Sequence, residues 1–197
     1  MSGKKTYPQP ESEAAKNWPH KRIVVDVDEN GESYITTETA TNVIQRENFM
    51  HRADIWAGRA LPYDNTEEGD LSLTQDRREP YPGGFVARSL KLWPDKDPEE
   101  YVAMVRELHK SVKQKHMPSE KDYARHANMH RTDSLDIITV ITGEMYMMTD
   151  KDEVLMRPGD TVVIKGGNHG WSNRSGEPSL TTGVMFDAIP LDNKKED

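Results

Sequence analysis

Residues 130–173 decide the fold of this chain, and they read HRTDSLDIITVITGEMYMMTDKDEVLMRPGDTVVIKGGNHGWSN. The opening of this stretch predicts a β-strand of a small barrel. Side chains on a strand alternate between its two faces, so His130, Thr132, Ser134 and Asp136 are expected to point the same way. His130 and Asp136 are therefore expected to face one cavity.

The rest of this stretch predicts further short strands separated by turns. The run 135–141 is β-branched and apolar, which suits a strand buried on both faces. Turn residues delimit three more strands, predicted at 145–148, 154–156 and 161–164. His169 follows a Gly-Gly-Asn loop, and Trp171 is expected to share its face because it lies two residues further on.

The order and spacing of nine residues in this stretch resemble the two sequence motifs of the cupin superfamily. These residues are His130, Thr132, Asp136, Gly143, Pro158, Gly159, Asp160, His169 and Asn173. The chain departs from the superfamily pattern at Thr132, which replaces a second His, and at Asp136, which replaces a Glu. The signature His-Arg-Thr-Asp-Ser-x-Asp followed by Asn-His-x-Trp-x-Asn is similar to that of small single-barrel cupin_2-type proteins. This resemblance implies a mostly β fold, a cupin-type jelly-roll β-barrel.

Composition restricts the class of protein. A chain of 197 residues with 34% hydrophobic content suffices for one domain with extensions and is too short for two full barrels. No apolar run approaches the roughly 18 residues that span a bilayer, so no membrane association is expected. The net charge of −8 argues against a nucleic-acid partner, since such proteins concentrate Lys and Arg on one face. The absence of Cys and of an apolar N-terminal segment predicts a cytoplasmic protein.

The chain is expected to form a flexible N-terminal arm at 1–20, a single cupin domain at 21–190 and a polar tail at 191–197. The domain is predicted to begin with strands at 22–27 and 33–36, and a further strand is predicted at 85–92. Residues 61–84 have little periodicity and predict a long loop over the cavity mouth.

A helical insertion is predicted at 98–116, with Asp97 as its N-cap and Pro98 at its first position. One apolar stripe at helical spacing is expected to pack against the barrel. It comprises Tyr101, Met104, Val105, Leu108 and Val112.

The resemblance also implies a metal site. Divalent metals are commonly held by neutral imidazoles and carboxylates, and His130, Asp136 and His169 are the predicted ligands of one ion of Fe, Zn, Mn or Ni. The alternative is a metal-free polar cluster in which Asp136 and His169 are catalytic by proton transfer. Four residues are predicted to line the pocket, with ordinary barrel filling as the alternative for the last three: Thr132, Tyr146, Met148 and Trp171.

The remaining histidines are given weaker roles. His126 lies four residues before His130 and is either a substitute ligand or a loop residue. The others have no ligand spacing and are predicted to be exposed: His20, His51, His109 and His116.

The resulting prediction is a small-molecule enzyme of lyase, dehydratase or isomerase type that acts on a carbonyl-bearing metabolite in the barrel cavity, assisted by the metal. One alternative is a non-haem iron dioxygenase using the same ligands. The other is a non-catalytic barrel that binds a small molecule. A homodimer is expected, because cupins commonly pair edge strands.

Overall fold

A computed structural model describes residues 20–38, 42–46, 48–96 and 98–191 of the protein. Nearly all of the predicted N-terminal arm and polar tail, and the predicted N-cap Asp97, lie outside the described residues.

Antiparallel strands dominate the described part of the chain. The strands are β1 (Arg22–Val27), β2 (Ser33–Glu38), β3 (Asn42–Arg46), β4 (Met50–Gly58), β5 (Phe85–Leu92), β6 (Ser134–Thr142), β7 (Met145–Thr149), β8 (Glu153–Met156), β9 (Thr161–Lys165), β10 (His169–Ser172) and β11 (Ser179–Asp187). The helices are α1 (Pro98–Ser111), α2 (Glu120–Arg125) and a short 3-10 helix, Leu71–Thr74.

Two sheets form the barrel. The larger has six strands in the order β3-β4-β5-β11-β6-β9, and the smaller has three in the order β10-β7-β8. Strands β1 and β2 form a separate hairpin. This architecture confirms the predicted mostly β jelly roll with a helical insertion, to which α2 adds a second, short helix.

The core between the sheets is apolar and rich in methionine. It buries Phe49, Met50, Leu92, Val140, Met145, Met147, Met156, Ile164 and Trp171. Helix α1 contributes to the same cluster through Tyr101, Val105, Leu108 and Val112, with Met104 packed at its edge. The prediction that this stripe packs against the barrel is therefore confirmed. The helix ends at Ser111, earlier than predicted, and Lys113 just beyond it takes a positive φ of 49°.

Strand β6 is not buried on both faces, so that prediction is wrong. Its inward side chains Ser134, Asp136 and Val140 are buried, whereas Ile137 and Ile141 on the other face are 38% and 44% exposed. The physical reason is that the opposite sheet covers only the inner face. The β-branched run thus indicated a strand without indicating which faces are covered.

Among the described residues, five elements are missing from the sequence prediction: β3, β4, β11, α2 and the 3-10 helix Leu71–Thr74, which lies in the predicted loop. The most important is β11, which lies between β5 and β6 in the large sheet. Its glycine at position 183 interrupts the apolar pattern, and the strand requires it, because a Cβ there would lie 2.5 Å from the carbonyl oxygen of Ile137.

The β1–β2 hairpin turns on Asp28, whose Oδ1 accepts hydrogen bonds from the backbone N–H groups of Asn30 (2.8 Å) and Glu32 (3.0 Å). One face of the hairpin exposes apolar side chains: Ile23, Val25, Val27 and Ile35.

The homodimer stays a prediction. Within the described ranges, no helix has the length and apolar character needed to cross a bilayer.

Candidate functional site

A cavity lies inside the barrel between the two sheets. Measured as the space open to the centre of a water molecule, its volume is about 110 Å³. The cavity can therefore hold several waters or a small molecule. The polar side chains that line it are Arg52, Arg78, Arg88, Asn128, His130, Asp136, His169 and Thr181. The apolar ones include Phe49, Leu90, Leu92, Val112, Ile138 and Trp171.

His130 and His169 are joined through their backbones, and this contact brings their rings together. Each donates its N–H to the carbonyl oxygen of the other, at 2.7 and 2.9 Å, and the ring centroids are 4.3 Å apart. Strand β10 thereby carries His169 to the segment that precedes β6. Two histidines separated by 39 positions thus share one wall of the cavity, as predicted.

Backbone carbonyl groups fix the tautomer of both rings. Nδ1 of His130 lies 2.7 Å from the carbonyl oxygen of Asn128, and Nδ1 of His169 lies 2.9 Å from that of Gly167. A carbonyl oxygen only accepts hydrogen bonds, so each Nδ1 carries the proton and each Nε2 presents a lone pair that can accept one. The lone pair on Nε2 of His130 accepts a hydrogen bond from Nη1 of Arg78 at 3.0 Å.

Both rings are neutral at physiological pH. Burial, with a smaller contribution from the charge of Arg78, lowers the pKa of His169 to about 4, although the hydrogen bond to the Gly167 carbonyl acts in the opposite direction. Burial also lowers the pKa of His130 far below its ordinary value, and the charges of Arg78 and His169 act in the same direction. The two imidazoles can therefore accept hydrogen bonds at Nε2 without carrying charge.

Asp136 is the titratable acid of the cavity wall. Only 2% of the residue is exposed, and its Oδ1 accepts a hydrogen bond from the Ser134 hydroxyl at 2.6 Å, while that hydroxyl lies 2.9 Å from Oγ1 of Thr132. Burial raises the pKa of Asp136 to about 6, and the hydrogen bond from Ser134 and the charges of Arg88 and Arg78 only partly offset this. The predicted common face of Thr132, Ser134 and Asp136 is thus observed, as a row of hydrogen-bonded side chains.

Three arginines also line the cavity, and the sequence reasoning did not identify them. Arg52 and Arg88 come from β4 and β5, and both contact the fully buried Asp54, at 2.9 and 3.0 Å. Arg78 comes from the loop 61–84, where its backbone N–H bonds the carbonyl of Val112. Burial lowers the pKa of Arg78 to about 10, with Arg52 and Arg88 contributing through repulsion.

A sequence signal for two of these arginines did exist. Arg52 is two residues from Met50, and Arg88 is two residues from both Val86 and Leu90, so strand alternation puts each arginine on the face of a core residue. Arg78 had no such signal, because its loop has no regular period.

One contact among the described residues competes with a divalent metal at the predicted centre. Nε2 of His130, the nitrogen left to bind a metal, already accepts from the positively charged guanidinium of Arg78. Among the residues that the structure describes, no group of three or more His, Cys, Asp or Glu could hold a metal ion. His130, Asp136 and His169 do line the same cavity, so their role as a metal centre stays a prediction.

Of the four predicted pocket residues, Trp171 lines the cavity and three do not. Oγ1 of Thr132 is 2.9 Å from the Ser134 hydroxyl, and Thr132 does not reach the cavity. Tyr146 and Met148 point away from the cavity because strand alternation gives the inner face of β7 to Met145 and Met147, which are in the core. They contact Arg174 instead, whose guanidinium stacks on Tyr146 at 4.1 Å and approaches the Met148 sulfur at 3.4 Å.

The other histidines differ from the prediction in three cases: His51 and His116, predicted to be exposed, are half-buried, and His109 is fully buried. His109 is predicted to be exposed, but it is 1% exposed on α1, with Nδ1 3.2 Å from the Tyr123 hydroxyl and its ring 6.1 Å from that of His130. The reason is that His109 immediately follows Leu108, which faces the barrel. His126 bonds Asp95 at 3.1 Å and is a loop residue, not a substitute ligand.

The comparisons with known proteins give partial matches. No family model matches the chain. Two curated proteins of Diaporthe leptostromiformis, phomopsin biosynthesis cluster proteins C' and D, are each 44% identical to it over 48 residues, or 24% of this chain. The matched segment spans only 25% of each of these relatives.

Several solved structures with a similar chain path carry cupin or double-stranded beta-helix descriptions. A double-stranded beta-helix domain protein from Klebsiella pneumoniae is 15% identical, with a TM-score of 0.41 over 76% of this chain and 87% of that one. The cupin_2 domain of an XRE family transcriptional regulator from Enterobacter cloacae is 17% identical, with a TM-score of 0.37 over 72% and 98%. A sugar phosphate isomerase of the cupin superfamily from Silicibacter pomeroyi is 16% identical, with a TM-score of 0.34 over 52% and 50%.

Proposed function

We propose that this protein is a small-molecule enzyme of lyase, dehydratase or isomerase type, which transfers a proton on a carbonyl-bearing metabolite bound in the barrel cavity. The observation that carries the proposal is the position of Asp136. Its carboxyl group is buried in the cavity wall, Ser134 holds Oδ1 at 2.6 Å, and Oδ2 has no hydrogen-bond partner among the described residues. Asp136 is thus held in one orientation with one oxygen left for a substrate.

Asp136 has the properties of a general base. A base works best when its pKa lies near the working pH, because it is then ionised and still holds a proton well. Burial gives Asp136 a pKa of about 6, so at neutral pH most of the carboxyl groups are charged. A surface aspartate would be ionised too, but it would be a far weaker base.

The chemistry follows from the groups around Asp136. Asp136 takes the proton from the carbon next to the carbonyl, and the electron pair of that C–H bond moves into the carbonyl to give an enolate oxygen. N–H donors of Arg78 or Arg88 stabilise the charge on this oxygen. Asp136 returns the proton to the former carbonyl carbon, while the adjacent hydroxyl gives its proton to the enolate oxygen, and this completes the isomerisation of a hydroxyketone. Transfer of the Asp136 proton to a β-hydroxyl, which leaves as water while the enolate electrons form the C=C bond, completes a dehydration.

His169 is placed to orient the substrate. Its ring is neutral, its Nδ1 proton is used by Gly167, and its Nε2 has no hydrogen-bond partner in the described ranges. Such a nitrogen accepts a hydrogen bond from a substrate hydroxyl. We assign His169 this accepting role and Asp136 the proton transfer.

The two alternative activities differ in what they require. An iron-dependent dioxygenase needs Arg78 to leave Nε2 of His130, and it consumes oxygen in proportion to bound iron. A non-catalytic barrel binds its ligand without turnover. Neither alternative uses the raised pKa of Asp136, and this is why we favour proton transfer.

Hydrogen–deuterium exchange tests the proposal. The protein is incubated in D₂O near neutral pH with a panel of 2-oxo acids and hydroxyketones, and the C–H signal next to each carbonyl is followed by proton NMR. We expect accelerated exchange for members of this panel, and a loss of about 100-fold or more in Asp136→Asn, as is typical for removal of a general base.

The matched control is Asp152→Asn, which makes the same change at an exposed turn. This variant should exchange at the parent rate. An Asp136→Asn protein that exchanges as fast as the parent would refute the role of Asp136. Ligand binding with no exchange in the parent would favour the binding barrel.

A further inference from the structure

The structure points to a second feature of the ligand: we propose that the cavity binds a small oxyanion, a carboxylate or a phosphate group, through the guanidinium groups of Arg52, Arg78 and Arg88. Calling this ligand the substrate rests on the proposed function, but the binding itself does not. We refer to Arg52, Arg78 and Arg88 as the arginine cluster.

The first support is that all three side chains line the same cavity although they come from different places in the chain. Arg52 lies on β4, Arg88 on the neighbouring β5, and Arg78 in the loop that precedes β5. Strand pairing sets Arg52 opposite Leu90 on β5, two residues from Arg88, and the Arg78 carbonyl accepts a hydrogen bond from Nη1 of Arg88 at 2.8 Å. The fold therefore concentrates three cations in one small space.

The second support is that the cluster has more donors than acceptors. Nε of Arg52, Nε of Arg78 and Nη2 of Arg88 are buried and have no hydrogen-bond partner in the described part of the chain. A buried donor without a partner costs free energy, and guanidinium groups match carboxylate and phosphate oxygens in geometry. An oxyanion would supply the missing acceptors.

The third support is the local charge. Asp54 neutralises part of the cluster from behind, and Asp136 faces it across the cavity. Two further acids lie near the cluster: exposed Asp76 pairs with Lys113, and Oε1 of Glu79 accepts a hydrogen bond from the backbone N–H of Lys115 at 3.5 Å. Counted against the buried carboxylates of Asp54 and Asp136 alone, the three guanidinium groups carry one positive charge in excess, and half-buried Glu79 offsets part of it at Arg78.

The arginines also repel one another in the absence of a ligand. Burial lowers the pKa of Arg52 to about 10, and the charge of Arg88 lowers it in the same direction. A bound anion offsets both effects, because it neutralises the excess charge.

The position of the cluster restricts the ligand. Arg78 contacts His130, and Asp136 feels the charges of both Arg78 and Arg88, so an oxyanion on the cluster lies beside the proposed base. Because the cavity measures only about 110 Å³, the ligand is a small molecule with its anionic group close to the carbonyl. A 2-oxo carboxylate has this chemistry, and a phosphorylated hydroxyketone is the phosphate counterpart.

Isothermal titration calorimetry with malonate and inorganic phosphate, at constant ionic strength in a buffer free of other oxyanions, tests the proposal. The neutral diamide of malonate is the uncharged probe. We expect at least one of the two anions to bind the parent and the diamide not to bind. Whichever anion binds identifies the cluster as a carboxylate or a phosphate site.

The test variant is Arg78→Gln, because Arg78, unlike Arg52 and Arg88, does not pair with Asp54. We expect Arg78→Gln to weaken anion binding by about tenfold or more, the effect of one charge-assisted hydrogen bond. The affinity of Arg78→Lys should lie between that of the parent and that of Arg78→Gln. The matched control is Arg106→Gln, which removes an exposed arginine paired with Glu120 and should bind like the parent. If no anion binds the parent, or if all three variants bind equally, the proposal is wrong.

Asp136→Asn separates this proposal from the proposed function. It removes a negative charge from the cavity, so anion binding should be kept or strengthened while proton exchange is lost. Anion binding in a parent that catalyses no exchange would keep the oxyanion site and reject the enzyme. Proton exchange in a parent that binds neither anion would keep the enzyme and reject the oxyanion site.

Discussion

Arg78 donates a hydrogen bond from Nη1 to Nε2 of His130 over 3.0 Å, and this contact decides how the cavity is interpreted. The same nitrogen is the one that the predicted metal centre requires, because Nδ1 of His130 is bonded to the carbonyl of Asn128. A guanidinium and a divalent cation cannot share one lone pair. The contact therefore favours a polar proton-transfer site over the predicted metal centre.

The first prediction concerns metal content. Protein purified without an affinity tag or a chelator is expected to contain well below one equivalent of Fe, Zn, Mn or Ni, because Arg78 occupies His130. Elemental analysis measures this directly. Close to one equivalent that is lost in His169→Ala and kept in His116→Ala would restore the predicted metal centre.

The second prediction concerns Asp54, which lies between Arg52 and Arg88. Asp54→Asn leaves two buried guanidinium groups without their carboxylate, and breaking a buried ion pair in this way costs about 3–5 kcal/mol. Urea denaturation should show a loss of this size. The matched variant Asp76→Asn breaks only exposed pairs, with Lys113 and Arg77, and should cost at most about 1 kcal/mol. Equal losses in the two variants would argue against a buried Arg52–Asp54–Arg88 group.

The third prediction concerns Gly183 on β11. A Cβ at this position would lie 2.5 Å from the backbone oxygen of Ile137, so Gly183→Ala forces β11 and β6 apart. We expect a loss of about 1–3 kcal/mol, seen as a lower thermal midpoint. Gly176 has no atom within 4 Å of its Cβ position, so Gly176→Ala should change the stability little. An unchanged midpoint for Gly183→Ala would contradict the strand register.

The fourth prediction is a pH dependence of stability. The folded state raises the pKa of Asp136 to about 6 from an ordinary value of 3.8, so it binds this proton more tightly than the unfolded chain does. The stabilisation is complete below the ordinary pKa and is lost as the pH rises through 6. Relative to Asp136→Asn, the parent should lose up to about 3 kcal/mol of unfolding free energy between pH 4 and pH 7.

Urea denaturation of both proteins across this range provides the measurement. The difference between the two proteins is the useful quantity, because the lowered pKa values of His130 and His169 act in the opposite direction in both. A difference that does not change with pH would mean that Asp136 titrates normally.

Local patterns were sufficient to predict much of the fold. Turn residues and β-branched runs located most strands of the C-terminal half, and the stripe on α1 correctly predicted a helix against the barrel. Strand β11 was missed because Gly183 and a run of threonines weaken its apolar pattern. Strand β11 lies inside the sheet because it pairs with both β5 and β6. These contacts join distant parts of the chain, so they leave no pattern in the sequence around β11.

The candidate site could also be predicted in part, where local sequence patterns were sufficient. Strand alternation and motif spacing brought His130, Asp136 and His169 to one cavity, since these features act locally. Arg78 comes from an irregular loop, and its approach to His130 depends on long-range packing. A charged residue in a loop is usually solvated, so the sequence offered no means of distinguishing Arg78 from its exposed neighbours.

The most direct test of the central claim is the titration of the Asp136 carboxyl carbon by ¹³C NMR, assigned by its absence in Asp136→Asn. We expect a midpoint near 6, as burial in the cavity dictates. A midpoint near the ordinary 3.8 would show that the carboxylate is no stronger a base than one on the surface. That result would contradict the assignment of Asp136 as the base of a proton-transfer enzyme.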